Sequence, residues 1–265
     1  MVTQRARPQL LLGLDVGTQS LRAAVVDFQG CTVAVGIAPI ETTYPHPTWA
    51  EQQPAAWWSA ASEAVRHALA QENIAPEQIV GVGIDCTACT VVALDARGEP
   101  LRAAILWMDQ RAFREVEEIS HTGDPVLRFV SGRVSPEWML PKALWLKRNE
   151  PEIYVRAYRI VECTDWIMFR LTGEWTLSLN HVAVKWNYAR PDGGWPLGLL
   201  DAVGLSDLLG KWPENIVPLG RGEAKLSKKA ANELGLCAGI SVARGGSTRI
   251  WACSAWGRHV MAMLL

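Results

Sequence analysis

The chain is predicted to adopt an α/β fold on three observations. Short apolar runs separated by turn residues open it, a helix with apolar residues at helical spacing follows, and a buried strand follows the helix. The runs Leu10 to Asp15, Leu21 to Asp27 and Thr32 to Ile37 read as a β-meander, with Gln29-Gly30 as the turn between the last two. In the segment Ala55 to Gln71, Trp58, Ala61, Val65 and Leu69 recur at helical spacing, and Pro54 suits the first turn. Ile79 to Asp85 reads as a buried strand, and Thr90 to Leu94 as another, closed by the turn Asp95-Ala-Arg-Gly98.

Further on, Ile105 to Arg111 reads as a strand end running into a helix over Ala112 to Ile119. The text from Pro125 to Leu171 reads as mostly helical, with helices over Met139 to Asn149 and over Thr164 to Leu171, the latter stopped by Thr172-Gly173. Asn180 to Asn187 and Pro191-Asp-Gly-Gly-Trp195 read as a less regular insertion. Ser227 to Leu234 reads as a short helix with a Ser cap and Gly235 behind it.

Composition narrows the function. With 49% hydrophobic residues in 265, the chain can bury a large core, which argues against disorder. Lys plus Arg (26) nearly cancels Asp plus Glu (27), so no overall field draws it to nucleic acid or an anionic membrane. No apolar run reaches membrane-span length, and residues 1–9 form a short extension without the apolar core of a secretory signal, so the cytoplasm is the expected location. The six cysteines are scattered. The close pair Cys86 and Cys89 has no second Cys or His pair at zinc spacing, and it does not open a helix as a redox C-x-x-C would.

The first turn, Gly13-Leu-Asp-Val-Gly-Thr-Gln-Ser-Leu-Arg22, is the candidate anion site. Gly17 lets the backbone approach a ligand closely, and Thr18 and Ser20 offer hydroxyl donors. Asp15, at the end of the first strand, is placed to hold a hydrated Mg²⁺ near phosphates. An ordinary hairpin with a solvated turn would read the same from these residues alone. The spacing is neither a Walker loop nor G-x-G-x-x-G.

Several segments in order resemble the N-terminal domain of the FGGY carbohydrate kinases: Gly13 to Arg22, Trp49-Ala-Glu-Gln-Gln-Pro54 through Trp58, Val82-Gly-Ile-Asp85, Leu106-Trp-Met-Asp-Gln-Arg-Ala112, Pro141-Lys-Ala-Leu-Trp-Leu-Lys147, Asp165 with Leu171-Thr-Gly173, and Leu234-Gly-Leu236. The resemblance covers residues 10–246 and implies an RNase H-like fold of the actin-like ATPase superfamily. It implies ATP and Mg²⁺ as cofactors, with Asp15, Gly17, Thr18, Ser20 and Arg22 as the phosphate loop. Asp85-Cys-Thr-Ala-Cys-Thr90 and Lys185-Trp186 look like the ribulokinase branch, so a pentulose is the implied substrate, ribulose ahead of xylulose. Small Ala88 would leave room for it, Trp107 would face its C–H side, and Lys185 would donate to its oxygens. Plain core packing for Trp107 and a solvated surface role for Lys185 stay open. Asp109 and Arg111 read as a pair that fixes the strand end, and Glu51 and Gln52 as structural. For an intact member the resemblance leaves a homodimer open.

The family's catalytic base is the Asp of a Gly-Gly-Ile-Asp-Ala-like motif, and here the text is Gly245-Gly246-Ser247-Thr248-Arg249. Residues 247–265 do not read as family sequence. Back-translated from Gly246 with permitted codons and read in the neighbouring frame, they give Ile-Asp-Ala-Tyr-Leu-Gly-Met-Phe-Gly-Leu-Gly-Thr. The tail is therefore expected to be out-of-frame translation, and the chain an inactive N-terminal half. Two other classes stay in view: a non-enzymatic sugar-binding or regulatory module, and an actin-like or Hsp70-like ATPase, against which the segments from Trp49 to Lys185 argue.

Overall fold

The computed structural model describes residues 8–220 and 224–247; the remaining residues, including all but the first of the tail expected to be out of frame, lie outside the described residues. The chain opens as expected with β1 (Leu10–Val16), β2 (Ser20–Val26) and β3 (Thr32–Pro39), followed by β4 (Glu51–Gln52) and α1 (Pro54–Gln71). Next come β5 (Ile79–Cys86), β6 (Val91–Leu94), β7 (Ala104–Ile105), α2 (Phe113–His121), α3 (Met139–Asn149) and α4 (Pro151–Arg156). β8 (Arg159–Glu162), α5 (Cys163–Thr172), β9 (Leu177–Ser178), α6 (Leu179–Lys185) and α7 (Leu197–Ala202) lead to β10 (Ile216–Val217), β11 (Ala224–Lys225), α8 (Lys228–Leu234) and β12 (Ser241–Ser247).

The stretch 125–171 is mostly helical, as expected, with the short strand β8 inside it; Ile160, Val161 and Glu162 are buried as they pair antiparallel with β6. One expectation needs correction. The segment 180–187 is not irregular up to Lys185, because α6 forms there. It is held by burial of His181 and Val182 on its inner side rather than by a capping side chain.

The main sheet has the order β11-β12-β5-β1-β2-β3. β1, β2 and β3 pair antiparallel, while β5 runs parallel to β1 and β12 parallel to β5. The C-terminal ends of β1, β5 and β12 therefore gather at one edge of the sheet, where open α/β sheets place their ligands. Asp15 and Asp85 are register partners at that edge, with Asp15 opposite Arg22 on the other side.

α1 packs on β2 and β3. Gly36 permits this contact, since a Cβ there would lie 1.8 Å from the Ala64 carbonyl oxygen. Trp57, Ala61, Val65 and Leu69 are buried along its inner face, and burial of a residue such as Val65 or Leu69 contributes about 1.5–3 kcal/mol. Trp57 meets Trp166 of α5 edge to face, with ring centroids 5.9 Å apart. A second, four-stranded sheet of order β4-β7-β6-β8 carries the loops that complete the site. α8 has the cap its sequence predicts: Ser227 accepts from the Ala230 amide at 3.1 Å, and Gly235 takes φ 72°.

Candidate active site

The turn from β1 to β2 is closed by the Gly17 amide donating to the Ser20 carbonyl at 3.1 Å. Gln52 fixes it from below. Its Nε2 donates to the Thr18 carbonyl at 2.6 Å, while its Oε1 accepts from buried Trp57 Nε1 at 2.8 Å. From above, Trp107 Nε1 donates to Thr18 Oγ1 at 2.9 Å. Gly17, Thr18, Ser20, Arg22, Trp107 and Met108 thus line one open cleft of about 270 Å³. The indole that the sequence offers to the sugar and the loop that it offers to phosphate share that space. Gln52, read as structural, is the side chain that ties the loop to the core.

Asp15 is buried, and Arg22 donates to its Oδ2 at 3.0 Å. Its Oδ1 is buried without a hydrogen-bond partner. Burial raises the Asp15 pKa above the ordinary carboxylate range, although Arg22 pulls it down. Asp85 lies beside it on β5. Burial first, and the Asp15 charge second, push Asp85 up to about 7, against the Cys86 amide bonded to its Oδ1 and the more remote His181. An orphaned carboxylate oxygen next to a second carboxylate suits a cation that keeps most of its water, as Mg²⁺ does. No group of three or more metal-ligating side chains occurs among the described residues, so an all-protein cage is not the geometry on offer.

The other half of the site lies where β5 ends. Cys89 adopts a left-handed backbone at φ 68°, and both sides of this residue are clamped. Its amide donates to Glu162 Oε2 at 2.7 Å, and its carbonyl accepts from Lys142 Nζ at 2.6 Å. Ala88, one residue earlier, is half-buried. Lys185, at the end of α6, sits with Nζ 5.1 Å from the Trp138 ring centre, and its charge reaches the Cys89 thiol. The structure therefore brings Lys185 and the Ala88–Cys89 loop into one neighbourhood. Lys142 also donates to the Leu106 carbonyl at 2.6 Å, joining the Cys89 loop to the Trp107 loop; burial pushes its pKa down to about 8.

Glu162, Lys142, Asp85 and His181 were not singled out from the sequence. Lys142 carried a readable signal, since it falls on the apolar face of α3 among Leu140, Ala143 and Leu144. Cys86 and Cys89 behave as packing residues. Both are buried; burial pushes Cys89 up to about 12 and raises Cys86 well above the ordinary thiol value, so neither presents a thiolate. Asp109 and Arg111 form the orienting pair expected of them. Asp109 Oδ2 accepts from the Ala50 amide at 2.6 Å and from Arg111 Nη2 at 2.8 Å. The Arg111 guanidinium also reaches Glu51 at 2.7 Å and stacks 3.9 Å from the Trp49 ring centre.

Residues 10–253 match the N-terminal domain of the FGGY family of carbohydrate kinases. The chain belongs to this family. It is 34% identical to a human FGGY carbohydrate kinase domain-containing protein over 88% of this chain and 44% of the relative, and 30% identical to a ribulokinase of Geobacillus thermodenitrificans over 89% and 47%. The solved xylulose kinase of Rhodospirillum rubrum superposes with a TM-score of 0.81 at 26% identity, covering 90% of this chain and 49% of that one. The fold is thus the RNase H-like, actin-like ATPase fold of the sugar kinases. The chain spans about half the length of the curated relatives it matches. Among the described residues no helix is long and apolar enough to cross a membrane.

Proposed function

We propose that the chain supplies the sugar-binding half and the first phosphate loop of an ATP-dependent pentulose kinase, with ribulose preferred over xylulose. The observation that carries this reading is the Trp107–Thr18 hydrogen bond, which holds the candidate sugar face and the candidate phosphate loop in one cleft. Trp107 offers its indole to the C–H side of the sugar, and Lys185 binds sugar oxygens from across the Ala88–Cys89 loop, where Ala88 leaves room for a five-carbon chain. Gly17, Thr18, Ser20 and Arg22 receive the phosphates of ATP, and Asp15 would hold a hydrated Mg²⁺, which would neutralise phosphate charge. Relatives named ribulokinase and xylulose kinase support the substrate class.

Transfer also needs a carboxylate to accept the proton of the attacking hydroxyl. β12 delivers Gly245 and Gly246 to the edge of the sheet beside β5, where a Gly-Gly-Ile-Asp-Ala segment would bring that Asp to Asp15 and Asp85. The text here continues Ser247-Thr248-Arg249, which favours a second reading for the chain as it stands: a sugar-binding module without turnover. Resequencing the DNA at the Gly246 codon and expressing the neighbouring frame separates the two. The restored product is expected to phosphorylate a pentulose with Mg·ATP, and Asn in place of the restored Asp is expected to abolish transfer while sugar binding persists. An early stop in that frame, or full activity with Asn, overturns the assignment. ATP hydrolysis that needs no sugar would favour the ATPase alternative.

A further inference from the structure

Glu162 lies at the start of α5 and is fully buried, yet it belongs to none of the sugar-facing segments. Its two oxygens are divided between them. Oε2 accepts the Cys89 amide at 2.7 Å, and Oε1 accepts Trp186 Nε1 at 2.5 Å. Cys89 follows Ala88, and Trp186 follows Lys185, so one carboxylate fixes the neighbours of two of the three residues assigned to the sugar, across 73 and 24 positions of sequence. The Cys89 peptide needs such a hold, because a non-glycine residue at φ 68° relaxes when its hydrogen bonds are removed. Burial alone would raise the Glu162 pKa, but the His181 charge and bond, the Trp186 indole and the Cys89 amide together outweigh it, and the net shift is downward. Its charge is therefore maintained where an isolated buried carboxylate would take up a proton. His181 Nδ1, on α6 itself, lies 3.0 Å from Oε2.

We propose that Glu162 is a positioning residue for the sugar subsite: by accepting hydrogen bonds from Cys89 and Trp186 at once, it sets the distance between Ala88 and Lys185 and thereby the fit of the pentulose. This rests on the pentulose-kinase reading above. The carboxylate matters because both of its oxygens accept. An amide has one accepting end and one donating end, so Glu162→Gln would leave either the Cys89 N–H or the Trp186 N–H facing another donor, buried and unpaired.

The test uses the 265-residue chain, with D-ribulose and D-xylulose as probes in calorimetric titration. Wild-type chain that binds neither sugar overturns the pentulose reading itself, whatever the variants do. Given wild-type binding, Glu162→Gln is expected to weaken it by about tenfold or more, because the released Cys89 loop or α6 end must then be re-ordered when the sugar binds. The double variant Glu162→Gln/Trp186→Phe is expected to bind about as weakly as Glu162→Gln and no worse, because both substitutions break the same two-sided tie between Cys89 and Trp186 and their effects do not add. A purely structural role would make the double variant worse than the single one, and that outcome contradicts the proposal, as does unchanged affinity in Glu162→Gln. Should Glu162→Gln fail to fold, Trp186→Phe alone is measured. It keeps the carboxylate but frees the Lys185 side, and affinity equal to wild type there overturns the proposal.

Discussion

At the scale of single residues, the site is built from groups whose charge is held in unfavourable surroundings. Asp85 is the clearest case. Its pKa is pushed up to about 7 by burial and by Asp15, so the folded chain holds a proton that the unfolded chain releases near pH ~4. Between those values the folded state binds more protons, and stability falls as pH rises through the window. Asp85→Asn keeps an oxygen for the Cys86 amide and removes the charge. It is expected to stabilise the chain by about 1–3 kcal/mol near pH ~8, with the gain shrinking toward zero near pH ~4. Urea denaturation across that range measures it; a gain independent of pH would show that Asp85 does not carry the buried charge. The sequence named Asp15 because it ends a strand beside a Gly turn. Asp85 appears there only as one residue of a strand, since the parallel register that sets it beside Asp15 joins positions far apart in the chain.

At the scale of elements, legibility follows the length and periodicity of each segment. The meander, α1, β5 and α8 could be read because each repeats its pattern over several residues or carries a cap, as Ser227 and Gly235 do. β8 could not, because Arg159-Ile-Val-Glu162 is four residues between two helices and takes its identity from pairing with β6. α6 is a seven-residue helix with no capping side chain, placed by the burial of His181 and Val182. β12 contains Arg244 and two glycines, weak strand formers that only pairing with β5 makes into a strand. Because α6 and β8 carry Lys185 and Glu162, the candidate sugar side of the site was the less readable half. Gly36 shows the same tertiary dependence. Gly36→Ala places a Cβ against the Ala64 carbonyl of α1, so the helix must lift from β3. A loss of about 2–4 kcal/mol is expected, read as a lower midpoint in urea with little change in slope. Wild-type stability in that variant would contradict the packing.

At the scale of the whole molecule, residues 10–253 match the sugar-kinase N-terminal domain, and the edge formed by β1, β5 and β12 is where the candidate phosphate loop, the paired carboxylates and the Ala88–Cys89 loop converge. Family and fold were legible because many weak segments fell in the right order, each one ambiguous by itself. The expected Gly-Gly-Ile-Asp-Ala-like motif was readable only as far as Gly246. The central claim is that this half already recognises a pentulose. The measurement that addresses it most directly is a titration of the 265-residue chain with D-ribulose, D-xylulose and glycerol, followed by calorimetry and repeated with Lys185→Met. The account predicts saturable binding of a pentulose, tighter for ribulose, none for glycerol, and a loss of about tenfold or more in Lys185→Met, as expected when a charged hydrogen bond is removed. Glycerol binding as tight as that of the pentuloses, or pentulose binding indifferent to Lys185→Met, would contradict it.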